Sequence, residues 1–418
     1  MALRVATAFS GGFGSVEFAL KYLNIKHKIV FACEIQEAQR KSYLQNHGNP
    51  TDEFYKDIKE IDGSRYRGEI DYYHLSPPCQ SYSIAGKRAG AADDRGGLMF
   101  EAIKSIDDVQ PKMFSIENVK GLLSVNDGND WKNIIKDLKS LKGYTISWGI
   151  MNAKEQGTPQ NRERVFIVGF RGQSPMFNFP KRRPLRYILA DLLEDKVDDK
   201  YYLSEKMMQS FIAHKERHDA KGNGFGIKPK TKDDLIANAI SCKAGSRATD
   251  NFIDIELIQV GNIDTKGHNS LWGRVYSTNG IASTQNAKGG GAGAKTGLYI
   301  VPRCNNNGGY KKTNISPSVT TSSFEHNNFI EHKTNIRRLT PRECARVQGD
   351  FEDRFILDGF SDTKLYEFIG NAMDISTTKN LIERMLEHLE SVKISEPQEP
   401  SFSISFADKQ KTLLELAS

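Results

Sequence analysis

Short apolar runs alternate with segments of helical period over residues 3–170, and nothing else in the chain restricts its fold so tightly. Residues 5–9, 28–33, 70–75, 113–116, 144–151 and 165–170 read as strands; residues 15–23, 37–46, 100–108 and 133–141 read as helices. Strands spaced by helices predict an α/β fold built on a doubly wound, mainly parallel sheet. Such sheets bind their ligands beyond the carboxyl ends of the strands. The turns at Phe9-Ser10, Cys33-Glu34, Pro78-Cys79 and Glu117-Asn118 all fall at that end.

Past Pro180-Lys181-Arg182-Arg183-Pro184 the texture changes. Residues 196–335 are rich in Gly, Asn, Ser and Thr, with short strand-like pieces and little helical period. Residues 236–241, 281–286 and 315–320 each lead through a loop to an apolar run, at 251–253, 298–300 and 328–330. One strand–loop–strand unit used repeatedly would give this pattern. Residues 343–347 read as a short helix, and 366–392 as a longer one interrupted near Gly370-Asn371. A chain of 418 residues has length for about two or three domains. The expected division is a ligand-binding domain over 1–195 and a smaller strand- and loop-rich domain with its hinge over 196–364. A helix over 365–395 then returns to the first domain. The tail over 396–418 is expected to attach loosely, with a short amphipathic helix at 411–416.

Composition removes several classes. Cys33, Cys79, Cys242, Cys304 and Cys344 are scattered and form no C-x-x-C pair. Neither a disulfide framework nor a metal site is expected, and a reducing cytoplasm fits. The amino terminus runs straight into a strand pattern with no signal-peptide layout. No apolar run is long enough to span a bilayer, so no membrane partner is expected. A net charge of +6 leans toward polyanions without proving one.

The chemistry centres on His74-Leu75-Ser76-Pro77-Pro78-Cys79-Gln80-Ser81. Two prolines end any regular element there and stiffen the backbone before a single cysteine. A lone cysteine is most simply a buried one. Here a cationic, glycine-punctuated run follows it, which suits a nucleophile under a closing lid. Phe9-Ser10-Gly11-Gly12-Phe13-Gly14-Ser15 joins the first strand to the first helix, where glycines let a cofactor approach a helix N-terminus. Glu34 ends the second strand, in position to bind ribose hydroxyls. Alone, this pair fits a nicotinamide, flavin or S-adenosylmethionine cofactor. Asp57 would accept from an adenine amine, and Glu117 stands at the mouth of an apolar strand. Arg162 and Arg164 alternate along an extended run and share one face.

As a set, these blocks resemble the C5-cytosine DNA methyltransferases of the bacterial restriction–modification type. The resemblance rests on the turn from Phe9 to Gly14, Glu34, Pro77-Pro78-Cys79-Gln80, Glu117-Asn118-Val119 and Gln160-Asn161-Arg162-Glu163-Arg164. Arg338-Leu339-Thr340-Pro341-Arg342-Glu343-Cys344-Ala345-Arg346 and then Gly370-Asn371 complete it, so that it spans residues 5–380 apart from the middle. It implies a Rossmann-like methyltransferase fold and S-adenosyl-L-methionine as cofactor. Cys79 would add to C6 of a flipped-out cytosine, with Glu117 on N3 and the exocyclic amine, Arg164 on O2 and Arg162 supporting the pocket. Phe9, Ser10, Gly11, Gly14, Glu34, Ile35, Asp57, Ile58, Pro78, Asn371 and Ala372 would line the cofactor pocket.

The middle region would read double-stranded DNA in the major groove, held in a cleft between the domains. Arg274 is then a guanine reader and Thr284 a phosphate contact. Gln80, Ser83, Lys87, Arg88 and Arg95 would meet DNA from the lid. A monomer is expected, with a separate cognate restriction endonuclease as a partner. Three features depart from the family pattern: Gly12-Phe13 in the glycine turn, Ile35 in place of an aromatic, and Ala372-Met373 after Gly370-Asn371.

Rival readings account for less. A nucleotide-dependent oxidoreductase leaves Pro77-Pro78-Cys79-Gln80, Glu117 and both arginines without work. A non-catalytic DNA binder is opposed by the intact Cys79, Glu117 and Arg164. A relative acting on cytosine in RNA is opposed by the long Gly/Asn/Thr-rich insert. An amino-methylating enzyme commonly has an aromatic where Cys79 stands.

Overall fold

The computed structural model describes residues 2–78, 97–219, 229–231, 234–247, 250–254, 259–262, 274–276, 336–392 and 401–404. The chain begins β1 (Leu3–Ala8), α1 (Ser15–Tyr22), β2 (His27–Cys33), α2 (Glu37–His47), β3 (Glu53–Tyr55), β4 (Tyr72–Leu75), α3 (Leu98–Val109), β5 (Met113–Val119) and α4 (Asn129–Leu138). It continues through β6 (Tyr144–Asn152), β7 (Gln160–Asn161), β8 (Glu163–Arg171), α5 (Glu205–Asp219), β9 (Ala237–Asn238), β10 (Phe252–Asp254), β11 (Gln259–Asn262) and β12 (Arg274–Tyr276). Last come β13 (Ile336–Arg338), α6 (Pro341–Val347), α7 (Asp362–Asn371), α8 (Ile375–Leu389) and β14 (Ser401–Ile404).

The main sheet has the order β14-β6-β8-β5-β4-β1-β2-β3. Its neighbours are parallel except around β8, which runs antiparallel to both β5 and β6. This is the expected doubly wound, mainly parallel, Rossmann-like architecture. The connections leave β1 in opposite directions along the sheet, so the crevice between β1 and β4 is its switch point.

Side-chain alternation divides the core between the two faces of the sheet. Tyr73 and Leu75 of β4 pack with Ile103, Ile106 and Trp131 on the face covered by α3 and α4. Tyr72 packs with Val16, Leu20, Leu381 and Ile382 on the face covered by α1 and α8. α3 buries Met99, Ala102, Ile103, Ile106 and Val109, a helical stripe in which each full-sized side chain contributes about 2 kcal/mol.

The chain forms two compact units, residues 1–193 with 235–243 and 341–418, and residues 194–234 with 244–340. The borders expected from sequence therefore shift. Residues 341–364, expected in the second domain, belong to the first unit. There Cys344, Ala345 and Val347 are buried, and Asp350 accepts from Tyr22 Oη at 3.0 Å and from Phe355 N at 2.8 Å. Residues 235–243 also return to the first unit, where β9 pairs in parallel with β7.

In the supposedly loose tail, β14 pairs with β6, Ser401 opposite Thr145. Backbone ladders of this kind leave little trace in side-chain pattern. The second unit contains a helix, α5, where little helical period was expected. Its inward contacts among described side chains are Met207 and Phe211, packed with Leu203, Phe252 and Ile336, too few to stamp a period on the sequence. β10 and β13 pair antiparallel there, Phe252 opposite Arg338. Of the proposed repeat, residues 236–241 and 251–253 are described; 281–286, 298–300, 315–320 and 328–330 lie outside the described residues, as does 411–416.

Candidate active site

A cavity of about 720 Å³ lies at the carboxyl ends of β1, β2, β4 and β5. One wall is the turn after β1. Phe9 has φ +56°, and Gly11 and Gly14 both have φ +67°. This left-handed geometry costs glycine little and a side chain about 1–2 kcal/mol. A Cβ at Gly14 would collide with the His47 ring. Glu34 anchors the turn, since its two carboxylate oxygens accept from Gly11 N at 3.0 Å and Gln36 N at 2.9 Å. Burial pushes the Glu34 carboxyl up, against the pull of those backbone donors. Gly12 N donates to Gln39 Oε1 at 2.6 Å.

Beneath the turn lies a carboxylate that sequence reasoning missed. Glu17, 1 % exposed on the first turn of α1, also lines the cavity. Its Oε1 accepts from Tyr43 Oη at 2.6 Å and Thr7 Oγ1 at 3.2 Å, and Thr7 Oγ1 meets Ser10 Oγ at 2.8 Å. An acidic residue in a first helical turn is ordinary, so nothing in the sequence marked it.

The opposite wall comes from β5 and β8. Val119 faces Arg164 in the antiparallel register, so Glu117, two residues back on the same face, lies within reach of the guanidinium. Arg164 Nε contacts Glu117 Oε1 at 2.9 Å, with both side chains largely buried. Pro77 O accepts from Asn118 Nδ2 at 3.0 Å, fixing the proline turn against β5. His74, in the stretch that leads to the turn, is held between Ser115 Oγ at 2.7 Å and Ser76 Oγ at 2.8 Å. Burial pulls its imidazole down to about 3, which keeps it neutral.

Arg162 acts as a clasp. Its guanidinium donates to Ile240 O at 3.1 Å, Gly370 O at 3.2 Å and Ala372 O at 2.7 Å. Burial, reinforced by the charge of Arg164, pulls it down to about 9, so it remains a cation at neutral pH. Gln160 adds bonds to Val347 O at 2.6 Å and Gln348 Oε1 at 3.0 Å, while accepting from Ile240 N at 3.2 Å. A Cβ on Gly370 would run into the backbone of Ser241 and Cys242. Residues 235–243 thus lie tight against the end of α7, and Cys242 and Lys243 line the cavity. A polar stretch of sequence gave no signal that it would return there.

The structure brings together Phe9, Ser10, Gly11, Gly14, Glu34, Ile35, Pro78, Glu117, Arg162, Arg164, Asn371 and Ala372 around this cavity. Asp57 and Ile58 do not line it. Asp57 instead caps the short helical turn Ile58–Glu60, accepting from Lys59 N at 3.0 Å, and Ile58 is a core residue. Cys79, Gln80, Ser83, Lys87, Arg88, Arg95 and Thr284 lie outside the described residues, as does the loop expected to form a lid, residues 80–97, apart from Gly97. Arg274 belongs to β12, opposite Asn262 of β11. Among the described residues, no group of three or more His, Cys, Asp or Glu side chains is placed to hold a metal ion. No helix among them is long and apolar enough to cross a membrane.

The profile of the C-5 cytosine-specific DNA methylase family matches residues 6–387. The type II methyltransferase M.HpaII of Haemophilus parainfluenzae is 33% identical over 90% of this chain and 88% of its own length. The orphan methyltransferase M.Rho11sI of Bacillus phage rho11s is 28% identical over 92% of this chain and 98% of its own. Among solved structures, the Entamoeba histolytica methyltransferase EhMeth matches with TM-score 0.61 at 17% identity, covering 93% of this chain and 99% of that one. S. pombe Dnmt2 matches with TM-score 0.59 at 16% identity, over 93% and 99%. Both share the fold.

Proposed function

The chain belongs to the C-5 cytosine-specific DNA methylase family, and from that premise we propose that it methylates a cytosine flipped out of a short duplex sequence, using S-adenosylmethionine as donor and Cys79 as nucleophile. The observation that carries this reading is a single cavity with Glu34 and the glycine turn on one wall and the Glu117–Arg164 pair on the other. Pro77 and Pro78, the last residues before Cys79, line or border the same space.

The residues present fit such a donor. The turn from Phe9 to Gly14 borders the cavity, and Glu34 keeps free lone pairs after binding two backbone amides. When bound, the donor supplies an electrophilic sulfonium methyl. The protein must then make cytosine C5 nucleophilic. The Cys79 thiolate adds to C6 and breaks the ring's aromaticity; after methylation C5 loses its proton and the thiolate leaves. Glu117 binds N3 and the exocyclic amine, favouring the protonated ring, and Arg164 holds both Glu117 and the O2 side. Arg162 positions the pocket through backbone carbonyls. Flipping the base costs a few kcal/mol of lost stacking and pairing, which contacts of the kind assigned to Arg88, Arg95 and Arg274 would offset. The curated relatives include both type II and orphan enzymes; a restriction–modification setting with a separate endonuclease is the reading we adopt. The enzyme would act as a cytoplasmic monomer.

The test is bisulfite sequencing of random duplex DNA treated with the protein and S-adenosylmethionine. Protected cytosines in one short context are expected, and would reveal the target at the same time. No protection, with folding and donor binding intact, would overturn the duplex-DNA reading in favour of RNA or a silent binder.

A further inference from the structure

The proposed chemistry leaves one buried acid without a role. Glu17 is 1 % exposed, yet it lines the donor side of the cavity below the glycine turn. Two hydroxyls, Tyr43 Oη and Thr7 Oγ1, converge on one of its oxygens. Hydroxyl donors can serve a neutral or an ionised carboxyl, whereas a buried carboxylate without a matching cation is costly. Among the described residues no salt bridge to Glu17 is formed. On the same helix, the Lys21 ammonium donates instead to Asn46 O at 2.9 Å and contacts His47 Nδ1 at 3.1 Å. The cavity therefore contains a buried acid that no described cation meets at salt-bridge distance, the Lys21 ammonium and His27 acting on it only from further away.

We propose that Glu17 is the counter-ion for a primary ammonium on the donor, the amino-acid end of S-adenosylmethionine, and that it accepts this charge by giving up its own proton. The inference rests on the donor assignment made above and adds to it a residue and a proton balance. The carboxylic O–H bond breaks, the proton passes to solvent, and the carboxylate pairs with the incoming ammonium. Burial pushes the Glu17 carboxyl up, and the hydrogen bonds from Tyr43, from its own backbone amide and from Thr7 only partly oppose this. The other groups that face it are the Tyr43 phenol (pushed well up by burial), the Tyr72 phenol, the Lys21 ammonium, His27, and His47, held neutral by burial. A carboxyl raised in the free protein and lowered by a bound cation releases a proton on binding. Affinity must then climb as pH rises through the free-protein value.

Calorimetry on the full chain in buffers of different ionisation heat tests this with two probes. S-adenosylhomocysteine carries the ammonium and no transferable methyl; 5′-methylthioadenosine lacks the amino-acid end. The parent should release up to one proton on binding the first and none on binding the second. Glu17→Gln should abolish that release and weaken S-adenosylhomocysteine roughly tenfold, the scale of one charge-assisted bond, leaving 5′-methylthioadenosine unchanged. Equal weakening of both probes, or an unchanged proton count, overturns the proposal. A parent that binds neither overturns the donor assignment and this inference with it. If Glu17→Gln does not fold, Tyr43→Phe carries the test. Loss of its hydrogen bond lifts the carboxyl further, so the pH at which S-adenosylhomocysteine affinity climbs must move up, and an unmoved profile refutes the counter-ion role.

Discussion

At the scale of single residues, the sequence exposed the groups whose chemistry is rare and hid those whose role depends on burial. Cys79, Glu117 and Arg164 stood out because a cysteine after two prolines, a carboxylate at a strand mouth and an alternating arginine pair seldom coincide. Glu17 looked like any acid in a helix's first turn, and Gln160 entered only as the first residue of a motif block; burial against Tyr43 and Thr7 gives the one its meaning, and bonds to the distant Val347 and Ile240 backbone the other. Cys79→Ser should abolish methyl transfer while leaving donor affinity within about twofold, since the hydroxyl is a far weaker nucleophile; a transfer assay beside calorimetry checks both. Glu117→Gln should slow single-turnover methylation about 10²-fold or more, measured by rapid quench with donor binding as control. Arg162→Ala strands the carbonyls of Ile240, Gly370 and Ala372, and should cost about 3 kcal/mol in denaturant titration.

At the scale of elements, the alternation of apolar runs with helical period located most of the main sheet and its flanking helices to within a few residues. It missed β3, only Glu53–Tyr55, because so short a strand carries no period. It also gave no direction for β8, whose antiparallel course depends on the turn after β6 and not on its own composition. Gly370 tests the packing of one such element. With a Cβ there, the end of α7 and the Ser241–Cys242 backbone cannot both keep their places. Gly370→Ala should lower the melting temperature by several degrees, and it should weaken S-adenosylhomocysteine because Asn371 and Ala372 line the cavity. Thermal shift with and without S-adenosylhomocysteine reads both effects.

For the molecule as a whole, the end of the sheet away from the cavity is held by charge. Asp71, just before β4, accepts from Arg4 N at 2.9 Å and pairs with Arg4 and Lys112 at 3.1 and 2.9 Å, tying together the starts of β1, β4 and β5. Burial pushes its carboxyl up, but the bonds from Arg4 and Lys112 outweigh that and hold it at about 2. A depressed carboxyl stabilises the fold above its unfolded value and stops doing so as pH falls through the folded one. Asp71→Asn should therefore melt below the parent at neutral pH, with the gap closing between about pH 4 and pH 2. The division into units was only half legible, since composition marks where a polar insert begins but not where its thread rejoins the sheet-bearing unit. That thread sets a rule for building chimaeras. A second unit transplanted between relatives by cutting near residue 196 would carry away residues 235–243, and with them partners of Gln160 and Arg162. The host would receive a foreign strand in its own pocket wall, so the workable joints lie on either side of 194–234 and again around 244–340.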